Sequence, residues 1–276
     1  MMSPEQFFDI FLEELKGLPE LSHYYKFHSS VQDFEFRKAY FLQRLEYIDR
    51  QVKAYQRSHA GPIKIWDCGC GYGTTCLYLA MNGIATFGTT LEFYFDFIQQ
   101  RKSFWSTYGN SELFECSYQD MTLEQPDDQS VDIIIVQDTL HHLEPIDKAM
   151  KTFHDVLKSS GILISVEENG RNIIQNLKLY KQRGNQRVIS FWDEKLQRTI
   201  TMGNENIRSM SVWTGLFQQA NFYIDGSQTE YIRVLPPFFY KNKSARQMIQ
   251  KEKSLGNSFL HQFFYFGINF VAKRQV

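Results

Sequence analysis

The chain has 276 residues, enough for one large α/β domain with appendages and for a core that leaves a cleft. Its 30 Lys and Arg balance 31 Asp and Glu, so composition supplies no broad field for nucleic acid or for an anionic membrane. The 24 Phe and 15 Tyr stand out, and they suit either an aromatic core or a pocket for an apolar or aromatic ligand.

Ser3-Pro4-Glu5-Gln6 is a capping-box pattern with proline in the first turn. Phe7, Phe8, Phe11, Leu12 and Leu15 come next at helical spacing and predict an amphipathic helix over 3–16. A second helix is predicted over 33–55, with Phe36, Tyr40, Leu42, Leu45 and Ile48 near one face. Residues 1–60 therefore read as a helical cap on the remainder of the chain. No signal-peptide pattern opens the chain and no apolar run reaches membrane-spanning length, so a cytoplasmic setting is expected. Of the four cysteines, at 68, 70, 76 and 116, three crowd one glycine turn, with C-x-C spacing that is poor for a disulfide framework and weak for zinc. They are expected to be reduced, and no metal site is expected.

From Pro62 the pattern changes. Strands are predicted over 63–66, 84–88, 113–118, 131–136 and 162–166, alternating with helices over 74–81, through Ile98, and over 146–157. Ile133, Ile134 and Ile135 form the β-branched run of a strand buried on both faces. The alternation predicts an α/β fold with a doubly wound, mostly parallel sheet over 61–276. Residues 169–208 break the rhythm with a long, polar, Asn-rich insert, basic over 178–187. A helix near 211–220 and strands over 222–224, 231–235 and 263–271 close the chain. The cap, the insert and 236–246 are expected to form a lid over the ligand site.

The sharpest motif is Asp67-Cys68-Gly69-Cys70-Gly71-Tyr72-Gly73, set between a strand and a helix. Glycines let the chain turn tightly and let a ligand approach, and the helix start behind them offers free N–H groups. A dinucleotide fingerprint would require glycine at 74, where Thr74 stands. The D-x-G-x-G-x-G form instead resembles the class I S-adenosylmethionine-dependent methyltransferase family. That resemblance implies a Rossmann-like, seven-stranded sheet and S-adenosyl-L-methionine as cofactor. It covers about residues 60–168, and not the first sixty residues or the 169–208 insert.

Carried over residue by residue, the resemblance places Gly69, Cys70, Gly71 and Gly73 around the methionine and ribose. Asp67 either braces the loop or meets the cofactor's ammonium. Where the family usually has a ribose-binding acid, Gly88-Thr89-Thr90-Leu91 resembles the cyclopropane-synthase-like and tocopherol-methyltransferase-like branch, bringing Thr90 and Leu91 to the cofactor. Glu92 is either a substitute carboxylate or a solvated helix-start residue. Asp120 accepts from the adenine amino group, since a carboxylate only accepts, while Met121 covers the ring. Gln137 faces the methionine, and in Leu140-His141-His142-Leu143 the acceptor cavity receives His142, ahead of His141, as a base or as a loop-ordering residue. Of Glu167 and Glu168 only one can face the cleft, and Glu168 is the candidate.

These features predict methyl transfer to a small, apolar or aromatic, natural-product or lipid-like acceptor. No nucleic-acid partner is expected, because an N-P-P-Y tetrad and a Pro-Cys nucleophile are missing; a homodimer is compatible but not indicated. A non-catalytic S-adenosylmethionine-binding module and a protein or nucleic-acid methyltransferase are the alternatives. Aminopropyl transfer is disfavoured, because its acidic substrate motif is missing after the glycine turn.

Overall fold

The structure is a computed structural model that describes every residue except 28, 29, 92–94, 122–124, 257, 259 and 276, with 261 described by its backbone alone. Glu92 thus lies outside the described residues.

The cap comprises α1 (Pro4–Gly17), α2 (Pro19–Tyr25) and the long α3 (Val31–Ser58). The capping box forms as predicted: Gln6 N donates to Ser3 Oγ at 3.2 Å, and Ser3 N donates to Gln6 Oε1 at 2.8 Å. Phe7, Phe8 and Phe11 are fully buried. Phe7 stacks on Trp105 with ring centroids 4.3 Å apart, and Phe11 stacks on Phe41 at 5.5 Å. Aromatic packing therefore both consolidates the cap, through Phe11 and Phe41, and joins it to the body, through Phe7 and Trp105.

The body begins with β1 (Ile65–Cys68), α4 (Thr74–Met81), β2 (Thr86–Thr90), α5 (Phe95–Trp105), β3 (Phe114–Tyr118), β4 (Val131–Gln137), α6 (Ile146–Val156) and β5 (Leu157–Glu168). Next come α7 (Ile173–Arg183), β6 (Val188–Asp193), β7 (Arg198–Gly203), α8 (Met210–Gln219), β8 (Phe222–Ile224), β9 (Glu230–Ile232), α9 (Ala245–Ser254) and β10 (Gly267–Arg274). The main sheet runs β3-β2-β1-β4-β5-β10-β8, with β9 as an eighth strand beside β10. Strands β1 to β5 pair in parallel, and β10 enters antiparallel against β5. This is the Rossmann-like, doubly wound, mostly parallel architecture. Two apolar clusters cover its faces, one built with the cap and one with α6 and α8. No described helix is long and apolar enough to cross a membrane.

Three differences from the sequence pattern matter for the site. Strands β1 and β2 end two residues later than their β-branched runs, because Asp67 and Cys68 pair with Gly88 and Thr89 before the turn begins. The polar insert is ordered as α7 plus a β6–β7 hairpin. Asn172 caps α7 by accepting from Gln175 N at 2.8 Å, and buried Asn169 donates to the carbonyls of Gln262 and Tyr265. The segment 236–246 does not line the main cavity; Tyr240 packs edge-on against Phe36 of α3, with centroids 5.4 Å apart, and so braces the cap from behind.

Buried polar residues tie cap to body. Glu14 of α1 makes a bidentate pair with Arg101 of α5, both bonds at 2.7 Å and both side chains fully buried. Gln43 of α3 donates to Glu252 of α9, whose carboxylate also accepts from Val234 N and Leu235 N at 2.9 Å each.

Candidate active site

A cavity of about 1000 Å3 opens at the carboxyl ends of β1, β2, β4 and β5, where open α/β sheets bind ligands. Its floor is the glycine turn, its walls come from α2 and α3, and its far side is the β6–β7 hairpin. Asp67, Gly69, Cys70, Gly71, Thr90, Leu91, Asp120, Met121, Gln137, His141, His142 and Glu168 all line it. Gly73 does not.

Two glycines in the turn have distinct duties. At Gly69, with φ of +81°, a Cβ would sit 2.3 Å from Thr139 Oγ1, so the turn must pass β4's end with no side chain. Gly69 N and Cys70 N both donate to Thr89 O, at 2.9 and 3.0 Å, pinning the turn to β2. At Gly73, with φ of +73°, a Cβ would meet the Phe114 ring at 2.4 Å. That glycine sets packing rather than a ligand surface. Arg101 reaches beneath the turn and donates to Tyr72 O at 2.7 Å and to Thr74 Oγ1 at 2.8 Å.

Asp67 is buried. Cys76 Sγ donates to its Oδ2 at 3.2 Å, while Oδ1 has no hydrogen-bond partner among the described residues. Burial pushes the carboxyl up to about 7. A buried carboxylate oxygen without a partner at a cavity wall is an unmet acceptor, and a cationic ligand group would satisfy it.

The β3 side carries the adenine candidates. Gln119 N donates to Thr90 O at 3.1 Å, joining the ends of β2 and β3. Asp120 is nearly buried and lies 3.4 Å from the guanidinium of Arg198 on β7. Tyr118 Oη donates to Asp193 Oδ2 at 2.6 Å, docking the hairpin over this edge.

On the β4–β5 side the two adjacent glutamates separate as alternation requires. Glu167 is buried beneath the turn after β4: Thr139 N and Leu140 N donate to its Oε1 at 2.9 and 2.6 Å, and His141 Nδ1 lies 2.5 Å from its Oε2. Burial disfavours the charged form of His141, yet the Glu167 carboxylate outweighs it and pushes the imidazole up to about 9. Glu168 faces the cavity, bonded by Gln175 Nε2 at 2.5 Å and 3.7 Å from Arg233. Burial raises its carboxyl, partly offset by Arg233. His142 Nδ1 lies 2.9 Å from Gly203 O. A carbonyl only accepts, so that nitrogen carries the proton and Nε2 presents a lone pair. Gln137 Oε1 accepts from Thr75 Oγ1 at 2.9 Å.

Several lining residues lack any strand-end motif. Tyr40 and Arg44, four apart on α3, share one helix face, and Arg44 pairs with Asp138. Both Arg44 and Arg233 lie over the Tyr40 ring, at 4.7 and 4.3 Å, and burial pushes the phenol up to about 12. The i, i+4 spacing of Tyr40 and Arg44 beside a helical apolar stripe was a usable signal. Arg233 reaches the cavity from a loop far along the chain and had none, whereas Glu205 belongs to the polar Asn204-Glu205-Asn206 cluster, which by sequence suits either an acceptor hydrogen bond or a loop cap.

The glycine turn at this site agrees with comparisons to known proteins. Residues 66–165 match the family model described as "Methyltransferase domain". This part of the chain is thus similar to a methyltransferase domain. Its cofactor is S-adenosylmethionine, and the unmet Asp67 oxygen and the side-chain-free positions Gly69 and Gly71 in the cavity floor fit that cationic nucleoside. A ubiquinone biosynthesis O-methyltransferase from Rickettsia akari is 27% identical over 122 residues, 44% of this chain and 46% of that protein. The chain thus spans about half the length of that curated relative. Among solved structures, geranyl diphosphate C-methyltransferase from Streptomyces coelicolor A3(2) shares the fold with a TM-score of 0.57 at 15% identity, covering 90% of this chain and 84% of that one. An S-adenosylmethionine-dependent methyltransferase from Methanosarcina mazei gives 0.53 at 19% identity, covering 82% and 97%.

Proposed function

We propose that the whole chain transfers the methyl group of S-adenosylmethionine to a small acceptor, apolar or aromatic and lipid-like or natural-product-like. The observation that carries this reading is one cavity running from the glycine turn to His142 between aromatic walls that include Tyr24, Phe36, Tyr40, Phe41 and Trp192. The relative named for ubiquinone biosynthesis supports a small-molecule acceptor. Four free cysteines favour a reducing compartment, the cytoplasm in our reading.

The cofactor supplies an activated methyl on a sulfonium, so the chain's duties are positioning, drying and proton handling. Asp67, Gly69 and Gln137 would hold the methionine end, and Thr90, Leu91, Asp120 and Met121 the nucleoside. Near-attack placement at about 3–3.5 Å between reacting atoms is the main contribution expected of such a site. His142 presents Nε2 to the acceptor half and would accept a proton released from a hydroxyl nucleophile. Glu168, held by Gln175 and Arg233, would orient a polar group of the acceptor.

Calorimetry with S-adenosylmethionine and S-adenosylhomocysteine, followed by an acceptor panel assayed for the demethylated cofactor, tests the reading. His142→Gln is expected to lower turnover by about 10²- to 10⁴-fold while leaving cofactor affinity within about twofold. No affinity for either nucleoside would overturn the reading. Affinity without turnover on any acceptor would favour a binding module instead.

A lid made of the cap and the 169–208 insert belongs to the same proposal. Limited proteolysis should show α2 and the β6–β7 hairpin protected by S-adenosylhomocysteine, with 236–246 unchanged. Unchanged cleavage in α2 and the hairpin would count against closure.

A further inference from the structure

His141 and His142, on the turn after β4, and Glu205, just beyond the hairpin, each offer a ligand atom, and those atoms lie within 4.8 Å of one another. Glu205 reaches both rings: its Oε2 is 3.8 Å from His141 Nε2, and its Oε1 is 4.0 Å from His142 Nε2. These separations exceed a hydrogen bond, so the three groups surround a space rather than bond to each other. All three line the cavity.

The second observation is what stands behind each ring. His141 Nδ1 is held by the buried Glu167 carboxylate at 2.5 Å, and His142 Nδ1 by the Gly203 carbonyl at 2.9 Å. Glu167 is itself fixed by two backbone N–H groups, so neither ring is free to flip. Orienting a histidine through a carboxylate or carbonyl on its far nitrogen is how metal-ligating imidazoles are commonly held. Here it is done twice, and both Nε2 atoms turn toward one carboxylate.

We propose that His141 Nε2, His142 Nε2 and the Glu205 carboxylate form a divalent transition-metal site opening on the acceptor half of the cavity. Two imidazoles and one carboxylate suit zinc, cobalt(II) or manganese(II) rather than the all-oxygen sites of calcium or magnesium. Bonds of about 2.0–2.2 Å at tetrahedral angles bring neighbouring ligands to roughly 3.3 Å. Rotation of the partly exposed Glu205 side chain closes its 3.8 and 4.0 Å gaps to the imidazoles, and a small tilt of the two rings about their Nδ1 hydrogen bonds, without a flip, brings the Nε2 atoms in from within 4.8 Å. At His141 the ion takes the place of the Nε2 proton, as metal binding to histidine generally does. With three protein ligands, at least one coordination position faces the cavity and can take an acceptor oxygen. The site itself does not depend on methyl transfer; only that acceptor role rests on the proposed function. A proton and a cation are alternative occupants of the His142 lone pair, so His142 is the base in the metal-free protein and a ligand in the loaded one.

The test uses the untagged full chain, stripped with chelator and free of nucleoside and acceptor. Titration with zinc by calorimetry, and with cobalt(II) by visible absorption, should give one ion per chain without a thiolate charge-transfer band. His142→Ala and Glu205→Gln should each weaken binding at least about tenfold, and Glu167→Gln by about 10- to 100-fold through loss of orientation. Glu205→Asp should restore part of the affinity, and circular dichroism should show every variant folded. Cys70→Ala with Cys116→Ala should leave zinc binding unchanged, because those thiols, 3.6 Å apart, are the competing soft site. No stoichiometric ion, a thiolate band lost with the cysteines, or binding indifferent to His142 and Glu205 would each overturn the proposal. Because no nucleoside is present, these outcomes stand apart from success or failure of the methyltransferase reading.

Discussion

Arg101→Met is expected to lower unfolding free energy by about 3–5 kcal/mol, the range for stranding one member of a buried ion pair. Arg101 donates two bonds to Glu14, one to Tyr72 O and one to Thr74 Oγ1, and Trp105 Nε1 adds a further donor to Glu14 at 2.9 Å. Removing the guanidinium leaves Glu14 charged at zero exposure and frees the carbonyl under the glycine turn. At 2–4 °C per kcal/mol for a chain of about this size, Tm should fall by roughly 6–20 °C. Urea titration measures it directly. A loss under about 1 kcal/mol would mean that water reaches Glu14 and that the network does not hold the cap. Arg101→Met with Glu14→Leu should recover part of the loss, since it removes the stranded charge but not the gap beneath Tyr72. The same single variant should weaken cofactor binding, because the turn loses its support from below.

Asp67→Asn is expected to weaken S-adenosylmethionine binding by about 10- to 100-fold at pH 7.5, the worth of a charged hydrogen bond of about 1.5–3 kcal/mol. Its pH dependence is the sharper readout. Burial pushes this carboxyl up to about 7, so below that the empty protein holds it protonated and neutral. A cationic ligand prefers the ionised form and must drive the proton off. Affinity should therefore rise with pH up to about 7, by at most tenfold per unit, and level above it. The window closes where the cofactor's own ammonium titrates, at about 7.7–8.0. In Asp67→Asn the slope should vanish. For the empty protein the sign is opposite: a raised carboxyl contributes stability present below its unfolded value, near 3.8, and lost as pH rises through about 7. A pH-independent affinity in the unmodified chain would place Asp67 as a loop brace and move the ammonium elsewhere.

The cavity lining around the glycine turn was legible in the residues because the turn itself is local. Asp67 through Gly73 fold as one turn between β1 and α4, and their chemistry comes from glycine's freedom and the helix start. Thr90, Asp120 and Gln137 were placed by the family resemblance, which sets them at the carboxyl ends of parallel strands where ligands gather, and all three line the cavity. Gly73 shows the limit of that rule. Its motif position matches its neighbours, yet the Phe114 ring occupies the space its side chain would need.

Amino-acid order alone determined the cap helices α1 and α3, the strand alternation and the ligand-facing edge, since each depends on periodicity or on spacing within a few residues; α2, whose aromatic end has no clear period, it did not. Only the tertiary structure decided that Glu167 lies under His141, that Arg198 reaches Asp120, and that Glu205 stands before two oriented imidazoles. Those partners are 26, 78 and 64 positions apart and meet through sheet register and hairpin docking. Long-range pairing leaves no periodic trace along a chain, because each partner satisfies its local propensity whether or not the other is present.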